Sequence, residues 1–244
     1  MVKILDCTTR DGGHAQNWDF ESDFVKKYIS VLEKTNIDFY EIGYRNYYEK
    51  EGKGKFFNCD KEFLKSLFPE RKNIQIGIMT DTSRFNINDF EENAQNDCID
   101  FIRIATHPER IKETLTIAEE LHQRGYNIFV QLMEVPNLKK EHYTILKKWR
   151  NKKILKSLYI ADTYSKVKPE EIENYFTELK NIGYENISFH AHNKHGLAFE
   201  NTIKAIELGA YSVDVSLFGI GTNLNNIDLL NKIGISTKEY NSFS

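Results

Sequence analysis

The chain has 244 residues, of which 40% are hydrophobic and 28% are charged, and its formal net charge is −3. This composition is typical of a globular protein with enough apolar residues for a sizeable core. Basic residues are scattered among acidic ones and form no basic stripe, so we expect no nucleic-acid partner. No segment is long and apolar enough to span a bilayer, so we expect no membrane association.

The three cysteines, Cys7, Cys59 and Cys98, lie far apart in the sequence. Their odd number and the lack of a Cys-x-x-Cys pair argue against a disulfide framework and against a zinc ribbon. Asp6 and Arg10 interrupt the only apolar run at the N-terminus, which is unlike a signal peptide. We therefore expect a cytoplasmic protein.

Short apolar runs alternate along the chain with segments of helical periodicity. Strands are predicted at residues 2–7, 38–42, 73–79, 99–105, 127–133, 155–161, 186–191 and 211–216. Helices are predicted at residues 21–34, 61–68, 88–96, 109–124, 139–149, 169–181 and 197–208. Eight such repeats in this length predict a single (β/α)8 TIM barrel over residues 1–244, with an open doubly wound sheet as the alternative.

Residues 43–60 form a connection longer than usual, rich in tyrosine, lysine and glycine, and we expect it to be the most mobile part. Its aromatic residues are Tyr47, Tyr48, Phe56 and Phe57. They could cover a polar or sugar-like acceptor, pack the loop against the barrel, or form a subunit contact in a homo-oligomer. The sequence does not choose among these three interpretations.

His190 and His192 are separated by one residue at the end of a predicted strand. Side chains alternate between the faces of a strand, so both imidazoles point to the same side and can converge on one metal ion. Taken alone, the pair fits equally well with two histidines hydrogen-bonded at a strand end.

The barrel prediction has a consequence, because active sites of this fold lie at the C-terminal ends of the strands. Polar residues that could bind substrate or metal do follow the predicted strands. They are Arg10, Asp11, Glu41, Tyr44, Arg103, His107, Asp162, Thr163, His190 and His192.

Several segments, in this order, resemble the DRE-TIM metallolyases, also called HMG-CoA lyase-like proteins. They are the runs DCTTRDGGH at 6–14, RIATH at 103–107, ADT at 161–163 and HAHN at 190–193. The resemblance covers nearly the whole chain, and it is strongest to the 4-hydroxy-2-oxovalerate aldolase type. The histidine three places after Asp11 and the RIATH run carry that finer similarity.

The resemblance implies that Asp11, His190 and His192 bind a divalent cation, Mn²⁺ or Mg²⁺, with Zn²⁺ or Co²⁺ as further options. It also implies that Arg10 helps to hold an enolate oxygen. Such a ligand set leaves positions for a 2-oxo acid that chelates through its carboxylate and keto oxygen. A metal on the keto oxygen stabilises the negative charge that develops when the bond beyond C3 breaks.

His14 fits the catalytic position of this family, and its ordinary pKa near neutrality suits a general base. An exposed loop histidine is the alternative. Glu41 and Asp162 are expected to orient ligands, although an acidic residue at a strand end is often a helix cap. By the resemblance, Asn226 contributes to or supports the metal site.

The chain also departs from the family pattern. Ser165 stands where the family usually has glycine, and residues 222–225 replace a stretch richer in glycine and alanine. The chain lacks the C-terminal region that links oxovalerate aldolases to their aldehyde dehydrogenase partner, so we expect no channelling dehydrogenase.

Three functions from different classes follow. The first is a metal-dependent aldolase that makes or breaks a carbon–carbon bond next to a pyruvate-like unit, with a 2-oxo acid and an aldehyde as substrates. The second is a Claisen-type enzyme that condenses an acyl-CoA with a 2-oxo acid. The third is a noncatalytic barrel that binds a metabolite. We expect the aldolase, with Arg103 and Tyr44 as candidate substrate-binding residues.

Overall fold

The computed structural model describes residues 2–45, 52–68 and 73–243. Eight parallel strands close into a barrel in sequence order, which confirms the predicted (β/α)8 fold. The strands are β1 Lys3–Asp6, β2 Phe39–Tyr44, β3 Gln75–Asp81, β4 Phe101–Thr106, β5 Asn127–Leu132, β6 Leu155–Asp162, β7 Ile187–Ala191 and β8 Ser212–Val215.

Amphipathic helices surround the barrel. In the third helix the buried residues Val25, Tyr28, Ile29 and Leu32 follow the helical period and face the strands. The helices are α1 Thr8–Asp11, α2 Gly13–Gln16, α3 Ser22–Leu32, α4 Lys61–Leu67, α5 Ile111–Gln123, α6 Lys140–Lys148, α7 Pro169–Asn181, α8 Ala198–Glu207 and α9 Asn226–Lys232. None of these described helices is long and apolar enough to cross a membrane.

The predicted helix at 88–96 is wrong. The segment between β3 and β4 instead contains short 3-10 turns at Thr82–Arg84, Ile87–Asp89 and Ala94–Asn96. No helix is predicted between the strand at 2–7 and the helix at 21–34, yet two short helices, α1 and α2, lie there.

The long connection after β2 lies only partly within the structure. Tyr47 and Tyr48, and with them the predicted mobility of this segment, fall outside the described residues. Phe56 and Phe57 are buried in the main hydrophobic core, so these two rings pack the connection against the barrel.

The barrel interior changes from apolar to ionic along the strands. Near the N-terminal end, Phe39, Phe101, Phe129 and Tyr159 form a buried aromatic cluster. Every second residue of a strand faces the same side of the sheet. At the next interior positions toward the C-terminal ends of the strands, the buried side chains are polar, namely Glu41, Arg103, Gln131, His190 and Asp214. The ionic layer therefore lies directly beneath the C-terminal mouth of the barrel.

Strand β8 is held unequally by its two neighbours. Residues Lys3–Asp6 of β1 pair with Ser212–Val215 along their whole length. Among the ladder pairs on the other side, only Phe189 with Val213 joins β8 to β7. Beyond the strands, an isolated bridge joins His192 to Asn223 in the loop that follows β8.

Candidate active site

Asp11, His190 and His192 come together at the C-terminal end of the barrel. Asp11 ends α1, His190 lies in β7 and His192 follows directly after it. One nitrogen of each ring and one carboxylate oxygen all lie within 4.8 Å of one another. The structure thus gathers the three residues expected to hold a metal ion.

The hydrogen bonds of the two rings show that this arrangement suits a cation. Nδ1 of His190 lies 2.7 Å from Asp214 Oδ2, and Nδ1 of His192 lies 3.1 Å from the Thr163 carbonyl oxygen. Both partners only accept hydrogen bonds, so each Nδ1 carries the hydrogen, and in a neutral ring the lone pair is then on Nε2. The two Nε2 atoms are 3.2 Å apart, and His192 Nε2 is 3.7 Å from Asp11 Oδ1.

Electron pairs from three acceptors therefore converge, which is unfavourable without a positive charge between them. The raised pKa of His192 also indicates that a positive charge is favoured at this position. Burial would lower that pKa, but the Asp11 carboxylate raises it above the ordinary value, so the site attracts a proton at this position. The donor set fits a divalent cation such as Mn²⁺ or Mg²⁺, and also Zn²⁺ or Co²⁺.

A chain of charged groups supports the three residues from within the barrel. Arg10 donates from Nη1 to Asp11 over 2.7 Å and from Nε to Glu41. Arg103 contacts Glu41 through two nitrogens at 2.6 Å and Asp214 through a third at 2.5 Å. Every one of these side chains is at least 97% buried, so the chain is shielded from water.

This network explains the pKa shifts of the site. Burial alone would raise the pKa of Asp11, but the Arg10 guanidinium and the two imidazoles hold it far below its ordinary value. Burial lowers the pKa of His190, and Asp214 opposes that shift only in part. Asp11 is therefore an anion and His190 a neutral imidazole at pH 7, which are the forms that metal coordination requires.

One buried donor of the site lacks a partner. Nη2 of Arg10 makes no hydrogen bond within the part of the chain that the structure describes. A buried and unsatisfied donor carries a free-energy penalty of about 1–3 kcal/mol, which a bound anionic oxygen can remove. Arg10 thus holds Asp11 and Glu41, and its Nη2 makes no hydrogen bond although the Tyr44 side chain is close to the guanidinium.

His14 lies in α2 at the edge of the site and is exposed to solvent. Its ring packs edge-on against Trp18, with the ring centres 4.7 Å apart, and Tyr44 is 6.4 Å away. Desolvation lowers the pKa of His14, Asp11 opposes this, and Arg10 lowers the pKa further. The ring is therefore neutral at pH 7, with a lone pair available.

The structure gives Arg103 a different place from the expected one. Its side chain is fully buried, and each of its three nitrogens already donates to Glu41 or Asp214, so it binds these two carboxylates inside the barrel. Asp162 accepts hydrogen bonds from the backbone N–H groups of Lys166 and Val167, which organises the loop after β6. Asp162 thus shapes this loop in the manner of a cap.

Asn223, rather than Asn226, is beside Asp11. Asn223 Nδ2 lies 3.4 Å from Asp11 Oδ2 and 3.2 Å from Cys7 Sγ. The side-chain oxygen of Asn226 instead accepts from the backbone N–H groups of Phe218 and Ile227. Asn226 therefore orders the loop after β8, and Asn223 contacts the candidate ligand.

Sequence reasoning missed Asp214 and Asn223. Asp214 carries a signal that could have identified it, because it is a charged residue in the middle of an apolar strand, on the side that faces the barrel interior. Asn223 carries no such signal, since its position depends on the path of the loop.

A second cluster is formed by Cys7, His190 and Asp214, whose possible ligand atoms also lie within 4.8 Å of one another. Burial raises the pKa of the Cys7 thiol, and Arg103 already binds Asp214, so this cluster is a poor metal site.

A closed parallel barrel with a buried ionic layer and two imidazoles at its C-terminal mouth defines a TIM-barrel enzyme. Residues 108–237 match the HMGL-like family. The chain belongs to the HMGL-like family and is an enzyme of the lyase class.

The proteins similar to this chain include a decarboxylase and an aldolase. The oxaloacetate decarboxylase of Mycobacterium tuberculosis is 23% identical over 227 residues, covering 93% of this chain and 67% of that protein. The 4-hydroxy-2-oxovalerate aldolase of Carboxydothermus hydrogenoformans is 26% identical over 248 residues, covering 97% and 72%.

Solved structures show the same fold. The N-terminal domain of a protein described as an aldolase from Bacteroides vulgatus has a TM-score of 0.87 and 28% identity, covering 99% of this chain and 84% of that chain. The HMG-CoA lyase of Brucella melitensis has a TM-score of 0.77 and 13% identity, covering 99% and 95%.

Proposed function

We propose that this protein is a divalent-metal-dependent carbon–carbon lyase that acts on a 2-oxo acid with a pyruvate-like donor unit and an aldehyde. Asp11, His190 and His192 hold the ion in this proposal. The observation that carries it is the convergence of two imidazole lone pairs and a carboxylate beside the unpaired Nη2 of Arg10. The aldolase and decarboxylase among the similar proteins support the same chemistry.

A bound divalent cation would supply Lewis-acid stabilisation of negative charge on the keto oxygen of the substrate. Arg10 adds a fixed positive charge beside Asp11, and its Nη2 offers a donor for the same negative charge. Its other donors are held by Asp11 and Glu41, so the guanidinium is already oriented before substrate binds.

His14 is the proposed general base for aldol cleavage. In that direction it takes the proton of the substrate hydroxyl on C4, the C3–C4 bond breaks, and the aldehyde leaves. The electron pair of the broken bond forms the enolate of the 2-oxo acid, and C3 then takes up a proton. The lowered pKa of His14 keeps the ring able to accept the first proton at pH 7.

The test needs no knowledge of the aldehyde. With Mn²⁺ or Mg²⁺ in heavy water, the methyl protons of pyruvate should exchange faster with the protein than with buffer and metal alone, as followed by proton NMR. EDTA or Asp11→Ala should abolish the effect. If neither pyruvate nor a panel of other 2-oxo acids exchanges, the protein is not a lyase of this kind.

Oxaloacetate decarboxylation is a second candidate, favoured by the similar decarboxylase. It passes through the same enolate, but the leaving group is CO₂ and no hydroxyl proton has to be removed. His14→Ala should therefore lower aldol cleavage by about 10²–10⁴-fold and leave oxaloacetate decarboxylation largely intact. Equal losses in the two reactions would remove the general-base role from His14.

A further inference from the structure

Three consecutive loops at the barrel mouth bring together His107 after β4, Glu134 after β5 and Tyr164 after β6. The Glu134 carboxylate is at the centre of this cluster. Its Oε1 lies 3.2 Å from His107 Nδ1, and its Oε2 accepts from Asn137 Nδ2 over 2.9 Å. The Tyr164 hydroxyl also lies within hydrogen-bonding reach of Glu134. We call these three residues the mouth cluster.

The mouth cluster is connected to the candidate metal site through one residue. The Thr163 hydroxyl accepts from the backbone N–H of Glu134 over 2.9 Å, and the Thr163 carbonyl accepts from His192 Nδ1. Tyr164 is the next residue along the chain. The cluster thus adjoins the residue that fixes His192, on the Nδ1 side of that ring and at the same C-terminal mouth of the barrel as the candidate metal site.

The backbone around the mouth cluster is held in an unfavourable conformation at two places. Glu134 has a φ of 54° and Ser165 a φ of 55°, although neither residue is glycine. The left-handed conformation costs about 1–2 kcal/mol for such residues, and it persists where the surroundings enforce it, often at functional sites. Ser165 is held by its side chain, which accepts from the Lys194 backbone N–H over 3.1 Å.

The cluster also leaves aromatic surface open to solvent. Tyr164 is 43% exposed and Phe218 is 47% exposed, and they are the exposed large hydrophobic residues of the described chain. They lie in the loops after β6 and β8, which flank β7 and its histidines. Exposed aromatic side chains at a site mouth provide packing surface for a ligand.

We propose that the mouth cluster binds the hydroxyl groups of a neutral, polyhydroxylated aldehyde, the part of the substrate beyond the bond that is made or broken. This inference rests on the proposed lyase function. The carboxylate and imidazole of the cluster pair with hydroxyl groups, and the Tyr164 ring packs against the C–H face of the carbon chain. Lys166 Nζ lies 5.9 Å from the centre of that ring, so the Tyr164 ring has a cation near it as well as the Glu134 carboxylate, and charges of both signs at one place favour a neutral ligand over an ionic one.

Matched aldehydes test the proposal. In aldol addition to the 2-oxo acid that exchanges in the wild type, D-glyceraldehyde and D-erythrose should have kcat/KM values at least about 10²-fold above those of propanal and butanal. Glu134→Gln and Tyr164→Phe should each remove about 10-fold or more of this preference by slowing only the hydroxylated aldehydes. Proton exchange of the donor should stay unchanged in both variants. Glu109→Gln, the same change at an exposed residue of the neighbouring loop, should keep the preference.

A binding measurement separates this proposal from the proposed function. Saturation-transfer NMR should detect erythritol but not 1,4-butanediol on the wild type, and the erythritol signal should weaken in both cluster variants. The proposal would be overturned if the wild type had equal kcat/KM values for hydroxylated and plain aldehydes. It would also be overturned if the variants bound erythritol as the wild type does. If no 2-oxo acid exchanges, the lyase function fails, and erythritol binding that depends on Glu134 would then assign the cluster to polyol binding alone.

Discussion

At the scale of single residues, the orientation of two imidazoles decides what the site can bind. His190 and His192 have their Nδ1 atoms fixed by Asp214 and by the Thr163 carbonyl, so both Nε2 atoms face the same point. Fixing the outer nitrogen of a histidine ligand is a common way to orient it toward a metal. The same two contacts keep the rings from turning away when no ion is bound.

The first prediction concerns these ligands. His190→Ala and His192→Ala should each weaken Mn²⁺ binding beyond the roughly 10–100-fold loss that follows removal of a partner outside the ligand set. Isothermal titration calorimetry measures the affinity, and circular dichroism should show an intact fold. His195→Ala, an exposed histidine on the same loop, is the control and should bind the ion normally. Metal occupancy equal to wild type in both variants would show that other residues hold the ion.

The second prediction concerns Asp6, which faces away from the barrel interior toward Tyr28. The Tyr28 hydroxyl and the Thr8 backbone N–H donate to its carboxylate, but burial prevails and raises the pKa of Asp6 to about 6. The folded state therefore binds this proton more tightly than the unfolded state does. The resulting contribution to stability is present below pH 4 and is lost as the pH rises through 6.

Asp6→Asn removes this titration. The free energy of unfolding of the wild type, relative to the variant, should therefore fall by roughly 2 kcal/mol between pH 4 and pH 7. Urea unfolding at both pH values measures it, and a constant difference between the two proteins would show that Asp6 titrates normally.

At the scale of elements, the alternation of strands and helices was predictable, whereas the third repeat was not. The segment 88–96 has the polar composition of an exposed helix. In the structure, however, the side chains of Asp81, Asn86 and Asn93 each accept a hydrogen bond from the backbone N–H two residues later. Such local bonds compete with helix formation, and a pattern of apolar residues cannot reveal them.

The loop after β8 is an element whose path depends on one glycine. Gly221 has a φ of 82°, and a Cβ at this position would lie 2.5 Å from the backbone carbon and oxygen of Asp11. The loop can approach Asp11 this closely only because residue 221 lacks a side chain. This approach also places Asn223 beside the Asp11 carboxylate.

The third prediction compares two glycines. Gly209 has nearly the same φ, 81°, but a Cβ there would have no heavy atom within 4 Å. Gly209→Ala should therefore lower the free energy of unfolding by about 1–2 kcal/mol through backbone strain alone. Gly221→Ala should lower the free energy of unfolding by about 1–3 kcal/mol more than Gly209→Ala does. It should also bind Mn²⁺ more weakly, because the clash displaces Asp11. Chemical denaturation and calorimetry test both points, and identical effects of the two variants would contradict the close approach.

At the scale of the whole molecule, charged side chains cross the barrel from one side of the candidate site to the other. They run in the order Asp11, Arg10, Glu41, Arg103 and Asp214, and Asp214 contacts the neutral ring of His190. Strand periodicity could have placed Glu41, Arg103 and Asp214 inside the barrel, but not Arg10 and Asp11, which lie in α1. Which residues pair across the interior could not be predicted, because the pairing depends on the tilt and register of strands distant in sequence.

The fourth prediction tests the row of charged side chains through Arg103. Arg103→Met preserves much of the volume but leaves Glu41 and Asp214 buried with less positive charge, so the free energy of unfolding should fall by about 3–5 kcal/mol. Adding Glu41→Gln to this variant should restore part of the loss, since it removes one of the uncompensated charges. Urea unfolding of the single and double variants measures the coupling, and simple additivity would show that the charges do not act together.

The unequal attachment of β8 gives the candidate ligands a mechanical role. The strand is joined to β7 by one ladder pair, and the bridge between His192 and Asn223 reinforces the same boundary just above it. Asp11 follows β1, whereas His190 lies in β7 and His192 directly after it, so the carboxylate and the two rings come from opposite sides of β8. An ion held between them would therefore link β1 to β7 across β8, beside the boundary that has a single ladder pair, and the groups proposed for chemistry would also stabilise the closure of the barrel.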